Sequence, residues 1–119
     1  MCWRNLERKV RCVYQYVFPR AAVRKFADRP HLIYFANSSM RPFFPPRLLH
    51  KHEERLEISY VTQGRGTYVI DNYPYPVEKG DLLVINSGQT HDEIADPHTG
   101  LNVYCCGISG LQLPGLSPN

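Results

Sequence analysis

From residue 49 onward the chain is a series of short apolar and β-branched runs, separated by residues that favour turns. Glycine, proline, asparagine and aspartate recur between these runs, which is typical of strands joined by tight turns. The segment from Gln63 to Gly66 is predicted to reverse the chain as a hairpin, because its two glycines permit positive φ. Strands this short, at this spacing, favour a sandwich or a barrel. The expected strands are 31–37, 56–62, 67–70, 75–77, 82–85 and 101–108, with further turns at 71–74, 78–81 and 86–89.

Three histidines and one glutamate lie in this region at spacings that suit a metal site. His50 and His52 are one residue apart, so their side chains point to the same face of an extended segment. Glu57 lies on the next run, and His91 follows the turn expected at 86–89. Imidazole and carboxylate together bind Zn, Fe, Ni, Cu or Mn, and the spacing does not rank these metals. The sequence therefore predicts a divalent transition-metal site formed by His50, His52, Glu57 and His91.

The same residues allow simpler interpretations. The four side chains can line the mouth of a barrel without binding a metal. Glu57 can pair with Lys51 or Arg55, and Arg55 is the better partner because it points to the same face two residues earlier. Asp92 and Glu93 directly follow His91, where they could act as general acid or base, but a solvated turn is the favoured interpretation.

The order of these residues resembles the two motifs of the cupin superfamily, a group of small β-barrels. The matching positions are His50, His52, Glu57 and Gly64 in the first motif, and Gly80, Gly88 and His91 in the second. The departures are Phe44, Asn86 and Ala95, which replace a glycine, a proline and an asparagine of the pattern, and none of these is a ligand position. The resemblance implies an all-β fold, the cupin-type double-stranded β-helix or jelly-roll barrel. It also implies that the face bearing Glu57 looks into the barrel.

Within the superfamily, the stretch LEISYVTQGRGTYVIDNYPYPVEKGDLLVINSGQTH resembles the N-terminal effector-binding domain of AraC-type transcription regulators. That resemblance runs from Leu49 to the end of the chain. It implies a barrel domain at 31–119 after an N-terminal arm at 1–30, a homodimer, and a small polar effector that is sugar-like. By their offsets from His91 and from the last strand, the expected effector contacts are Glu93, Asn102 and Tyr104.

Two functions of different classes follow. The first is a sensor domain for a transcription regulator that contacts DNA only through a helix-turn-helix domain absent from this chain, as in a truncated regulator. The second is a stand-alone metal-dependent cupin enzyme, of the dioxygenase or sugar isomerase type. The sensor is favoured over catalysis, because the resemblance is closest in residues without a catalytic duty, such as ISYVTQGRGTY.

Composition sets the remaining limits. At 119 residues, with 43% hydrophobic and 21% charged residues, the chain is expected to be one soluble domain. It has no apolar run of membrane-spanning length and no signal peptide, so we expect a cytoplasmic protein. Its four cysteines are irregularly spaced, and the neighbours Cys105 and Cys106 are predicted to be free, because adjacent strand residues face opposite ways. His31 and His98 lie outside the ligand spacing and are predicted to be surface residues.

The N-terminal arm carries most of the positive charge. Residues 1–29 contain eight Lys or Arg and two acidic residues, a net +6, whereas the rest of the chain is −3, within a total of +3. A basic arm can contact phosphates nonspecifically, although a solvated surface is the favoured interpretation. Apolar residues at helical spacing predict a short helix within 1–30, whereas the β-branched and aromatic residues at 13–18 suit a strand equally well.

Overall fold

The structure, a computed structural model, describes residues 29–41, 48–111 and 113, together with the backbone of residues 2–3. These described residues form seven strands, namely β1 (Cys2–Trp3), β2 (His31–Met40), β3 (Arg55–Ile70), β4 (Tyr73–Glu78), β5 (Leu82–Ile85), β6 (His91–Ala95) and β7 (Leu101–Ser109). The helix predicted within 1–30 lies outside the described residues. Among those described, no helix is long and apolar enough to cross a membrane.

The strands form two antiparallel sheets that share β3. The first sheet has the order β1-β5-β3-β7-β2, and the second consists of β4, β3 and β6. The first part of β3 pairs with β5 and β7, from Arg55 to Gly64, and the rest pairs with β4 and β6, from Arg65 to Ile70. Because one strand belongs to both sheets, the sheets fold over each other and enclose a common interior.

The hairpin predicted at Gln63 to Gly66 is wrong, because β3 runs without reversal through these residues. Gly64 has a φ of +78°, and the register with β7 shifts between Val61 and Gln63. A Cβ atom at Gly64 would lie 2.2 Å from the carbonyl oxygen of Gly100. The two glycines therefore bend the strand from one sheet into the next, as bulges do at barrel corners.

The other predicted strands and turns fall close to their expected positions. Strand β5 has the predicted bounds, β7 is one residue longer than expected, and β2 extends to Met40. The turn expected at 71–74 is shorter, because only Asp71 and Asn72 form it, with φ of 48° and 68°. Two central residues with positive φ are the signature of the tight hairpin turn that matches the twist of its strands. The structure is thus an all-β barrel, as the sequence predicts.

The interior has an apolar half and a polar half. The apolar half is a packed cluster of Val61, Tyr68, Val77, Leu83, Ile85, Leu101 and Val103. The polar half surrounds the beginning of β3, where Glu57 and Ser59 are 5% and 0% exposed. Burying a carboxylate is costly unless other polar groups compensate it, so this half of the interior is built for a polar function.

Candidate metal centre and ligand pocket

Two of the predicted metal ligands, His50 and His91, lie opposite each other in an isolated antiparallel bridge. The backbone N–H of His50 donates to the carbonyl oxygen of His91 at 3.1 Å, and the reverse hydrogen bond is 2.8 Å long. The ring centroids are 4.2 Å apart. His52 follows on the same segment, and its carbonyl oxygen accepts a hydrogen bond of 2.8 Å from the N–H of Gly88. The turn predicted at 86–89 therefore holds the His-x-His segment against β6.

The three imidazoles converge. His50, His52 and His91 each offer a ligand atom, and these atoms lie within 4.8 Å of one another. The Nδ1 atom of His50 is 3.0 Å from the carbonyl oxygen of Leu48, and that of His91 is 3.2 Å from the carbonyl oxygen of Gln89. A carbonyl can only accept, so in these two rings the proton is on Nδ1 and the Nε2 lone pair is available. This is the usual arrangement of metal-binding histidines.

His91 is 1% exposed, and its Nε2 atom is buried without a hydrogen-bond partner. The Oε1 atom of Glu57 is 3.9 Å away, which is beyond hydrogen-bond distance. A buried nitrogen with a free lone pair costs stability unless a ligand satisfies it. The donor set of three imidazoles and one carboxylate therefore fits a divalent transition metal at this position.

Glu57 is the fourth predicted ligand, and the structure brings it beside the histidines. Its Oε2 atom accepts a hydrogen bond from the hydroxyl of Tyr34 and lies 3.5 Å from Nε2 of His52. Its Oε1 atom accepts from the hydroxyl of Ser59 at 3.2 Å. These contacts fix the orientation of the carboxylate, as the partners of metal-binding carboxylates do.

Arg55 does not form the ion pair with Glu57 that the sequence suggested. Its Nη2 atom instead donates to Nδ1 of His52 at 2.8 Å, and its guanidinium lies 5.3 Å from the ring centroid of Tyr34. Tyr34 and Arg55 pack together because β7 carries a glycine there. A Cβ atom at Gly107 would lie 2.3 Å from the Tyr34 ring and 2.9 Å from Cδ of Arg55.

Burial shifts the pKa values of the site. Burial lowers the pKa of His91. For His52, burial and then the positive charge of Arg55 both lower the pKa. Both rings are therefore held in the neutral form, which a metal ligand requires. Burial and the hydrogen bond to Glu57 raise the pKa of Tyr34 well above its ordinary range, so this hydroxyl stays a donor.

Glu93 lies on β6, two residues after His91, and is 4% exposed. The solvated turn favoured for Asp92 and Glu93 is wrong, because both residues belong to this strand. Glu57, His91 and Glu93 offer a second set of ligand atoms within 4.8 Å of one another. The pKa of Tyr68 is raised mainly by burial and secondly by the negative charge of Glu93.

The other two expected effector contacts are not near Glu93. Along β7, Leu101, Val103 and Cys105 are buried, whereas Asn102 and Tyr104 alternate with them and point to the outer face. Asn102 accepts a hydrogen bond of 2.7 Å from Ser39 and donates one of 3.2 Å to Gln63. The ring of Tyr104 stacks on Phe35 at 5.5 Å. One ligand inside the barrel cannot contact all three residues.

Sequence reasoning missed the roles of Tyr34 and Arg55. Tyr34 lies in β2, far from both motifs, and nothing local distinguishes it from its apolar neighbours. Ser59 could have been found, since it shares the predicted inner face with Glu57. As predicted, His31 and His98 are exposed, and neither Cys105 nor Cys106 forms a disulfide in the described residues.

This chain is a member of the cupin superfamily, as the sequence motifs imply. It forms a small antiparallel barrel, and three histidines and a glutamate converge in the polar half of its interior. Residues 29–116 match the AraC-like ligand binding domain family, and the chain belongs to this family.

Two individual proteins are similar to part of the chain. An uncharacterized protein of Methanocaldococcus jannaschii is 37% identical over 59 residues, which cover 50% of this chain and 47% of that protein. An oxalate-binding protein of Thermotoga maritima is 37% identical over 43 residues, 36% of each chain. The matched stretches thus span less than half of these relatives.

Solved structures show the same fold. The crystal structure of a predicted oxalate decarboxylase from Thermotoga maritima is 28% identical, with a TM-score of 0.61 over 66% of this chain and 67% of that chain. A cupin protein from Bacteroides fragilis superposes with the same TM-score at 16% identity, over 88% of this chain and 92% of that chain.

Proposed function

We propose that this barrel is the sensing domain of a transcription regulator and binds a small polar, carbohydrate-like molecule in the polar half of its interior. The observation that carries the proposal is the buried cluster of Glu57, Ser59, His91 and Glu93, in a chain that belongs to a ligand-binding family. Such a lining offers hydrogen-bond donors and acceptors to hydroxyl groups. In a regulator of this kind, DNA is contacted by a helix-turn-helix domain outside these residues. The thiols of Cys105 and Cys106, which form no disulfide in the described residues, suit a reducing cytoplasm.

The proposal includes a divalent transition metal held by His50, His52, Glu57 and His91. When bound, such a metal supplies a Lewis acid that can take an oxygen atom of the ligand. Support comes from the unpartnered Nε2 atom of His91 and from the Nδ1 contacts that orient His50 and His91.

A thermal-shift screen of sugars, sugar acids and small dicarboxylic acids tests the ligand, followed by calorimetry of each hit. Oxalate belongs in the panel because of the oxalate-binding relative. Glu93→Gln removes a buried negative charge and should change the affinity of a true ligand by at least about tenfold: a neutral sugar loses a charged hydrogen bond and binds more weakly, whereas an acid is relieved of repulsion and binds more tightly. Tyr104→Ser, on the outer face, is the matched control. If Tyr104→Ser abolishes binding and Glu93→Gln does not, the ligand is outside the barrel and the proposal fails.

A metal-dependent enzyme is the second candidate, and the convergence of three imidazoles beside a buried carboxylate favours it. Turnover of any panel compound by metal-loaded protein, absent after chelation and in His91→Ala, would establish catalysis. Binding of a ligand without turnover would favour the sensor function over the enzyme.

We also propose a homodimer that forms through β2. This strand is the edge of the first sheet in the described residues, and its Leu32, Ile33 and Phe35 are 66%, 52% and 66% exposed. A long apolar edge strand is a template for pairing with another copy. Light scattering after gel filtration should show a dimer that Phe35→Ser weakens. Leu48→Ser is the control, because Leu48 is 86% exposed but lies outside β2. A monomer at every concentration, or a dimer insensitive to Phe35→Ser, refutes this interface.

A further inference from the structure

His52 differs from the other two histidines of the site in what contacts its Nδ1 atom. In His50 and His91 a backbone carbonyl accepts from Nδ1, whereas in His52 the guanidinium of Arg55 donates to it at 2.8 Å. A guanidinium has no acceptor atom. The Nδ1 of His52 must therefore carry its lone pair, and the proton of the neutral ring is on Nε2.

That tautomer removes His52 from the ligand set. Its Nε2 atom is the one that faces the site, 3.5 Å from Oε2 of Glu57. A protonated ring nitrogen has no lone pair for a metal, and a ring that gave up this proton as well would be an imidazolate. His52 can ligate through Nε2 only after Arg55 releases Nδ1 and the proton moves there.

Arg55 is also poorly satisfied where it lies. Its Nε atom is buried without a hydrogen-bond partner, and no carboxylate of the described residues lies within ion-pair distance of its guanidinium. The guanidinium is a planar fork whose neighbouring N–H groups match the two oxygens of a carboxylate. A carboxylate that binds both Nε and Nη2 satisfies the first atom and draws the second away from His52.

We infer that Arg55 controls whether His52 is available as a metal ligand, so that a carboxylate-bearing ligand which binds Arg55 strengthens metal binding. The inference rests on the proposed metal site and narrows the proposed ligand to an organic acid. Coupling of this kind is reciprocal, so the metal strengthens carboxylate binding by the same factor. Tyr34 contacts both Arg55 and the proposed metal ligand Glu57. Its ring lies beside the guanidinium of Arg55, and its hydroxyl donates a hydrogen bond to Glu57.

The tautomer is tested first, without metal. Long-range ¹H–¹⁵N spectra of the imidazoles, recorded where the rings are neutral, distinguish protonated from unprotonated ring nitrogens. We expect Nε2–H for His52 and Nδ1–H for His91 in the unaltered protein, and a shift of His52 towards Nδ1–H in Arg55→Met. The matched control is Arg65→Met, because Arg65 lies on the same strand but pairs with Asp96 at the surface. Nδ1–H for His52 in the unaltered protein overturns the inference.

Metal affinity is tested with Co²⁺, whose visible spectrum reports its ligands. Arg55→Met should bind Co²⁺ at least about tenfold more tightly than the unaltered protein. Changing a hydrogen-bond partner of a metal ligand alters metal affinity on this scale. Sodium acetate should tighten Co²⁺ binding relative to sodium chloride at equal ionic strength, and this gain should vanish in Arg55→Met.

The outcomes separate the two proposals. Equal Co²⁺ affinity in Arg55→Met and the unaltered protein, or an acetate effect that survives in Arg55→Met, overturns the role of Arg55 and leaves the metal site standing. Failure of Co²⁺ to bind any variant overturns the metal site, and the coupling with it.

Discussion

Replacing Tyr34 with phenylalanine removes one hydroxyl from the site and tests whether the carboxylate of Glu57 depends on it. Glu57 is 5% exposed, and its two oxygens accept hydrogen bonds from Tyr34 and Ser59. A hydrogen bond to a charged group contributes about 1.5–3 kcal/mol. Because Tyr34 is only half-buried, water can replace part of this contact, so we expect a loss of about 1.5 kcal/mol in the free energy of unfolding.

Equilibrium unfolding in urea measures this loss, and Tyr104→Phe is the matched control on the outer face. That variant should stay within about 0.5 kcal/mol of the parent, as surface substitutions do. In a Glu57→Gln background, the cost of Tyr34→Phe should fall to about 0.5–1 kcal/mol, the value for a neutral hydrogen bond. If Tyr34→Phe is as stable as Tyr104→Phe, the hydroxyl does not hold Glu57 and the reasoning is refuted.

Two further predictions concern the scaffold. Gly64→Ala should destabilise the barrel by more than about 2 kcal/mol, because both its φ of +78° and the close carbonyl of Gly100 oppose a Cβ. Gly88→Ala, at a φ of +82° but with its nearest atom 3.7 Å away, should cost only about 1–2 kcal/mol by thermal unfolding; equal costs would contradict the role of the close contact. Asp96 has its pKa lowered from 3.8 to about 2, chiefly by the backbone N–H groups two and three residues further on. Its stabilisation is present above pH 4 and is lost as the pH falls towards 2, so acid unfolding of Asp96→Asn should lack this component, and a profile identical to the parent's would contradict it.

The sequence predicts the architecture well because strand and turn signals are local. Alternation with period 2 places Glu57 and Ser59 on one inner face, and the spacing of His50, His52 and His91 predicts their convergence. The path of β3 could not be predicted in the same way. A glycine-rich segment suits a reversal or a bend equally, and only its packing against Gly100 and β7 selects the bend.

The partners of the ligand set depend on contacts between distant parts of the chain. Tyr34 reaches Glu57 from β2, a strand that, among the described residues, pairs with β7 alone. Alternation along the strand suits Arg55 as a partner for Glu57, whereas in the structure Arg55 donates to His52, which lies in the loop before β3. Asn102 and Tyr104 were placed by offset alone, whereas the pleat of β7 decides which way they point.

The order of the strands has a consequence for synthesis of the protein on the ribosome. Strand β2 emerges early, yet in the described part of the chain it pairs only with β7, the last of the described strands. At roughly 5–20 residues per second, β2 waits for seconds before the backbone groups that pair with β7 find their partners. The nascent chain is therefore exposed to aggregation through this strand, and a chaperone that binds short apolar segments would protect the protein most during that interval.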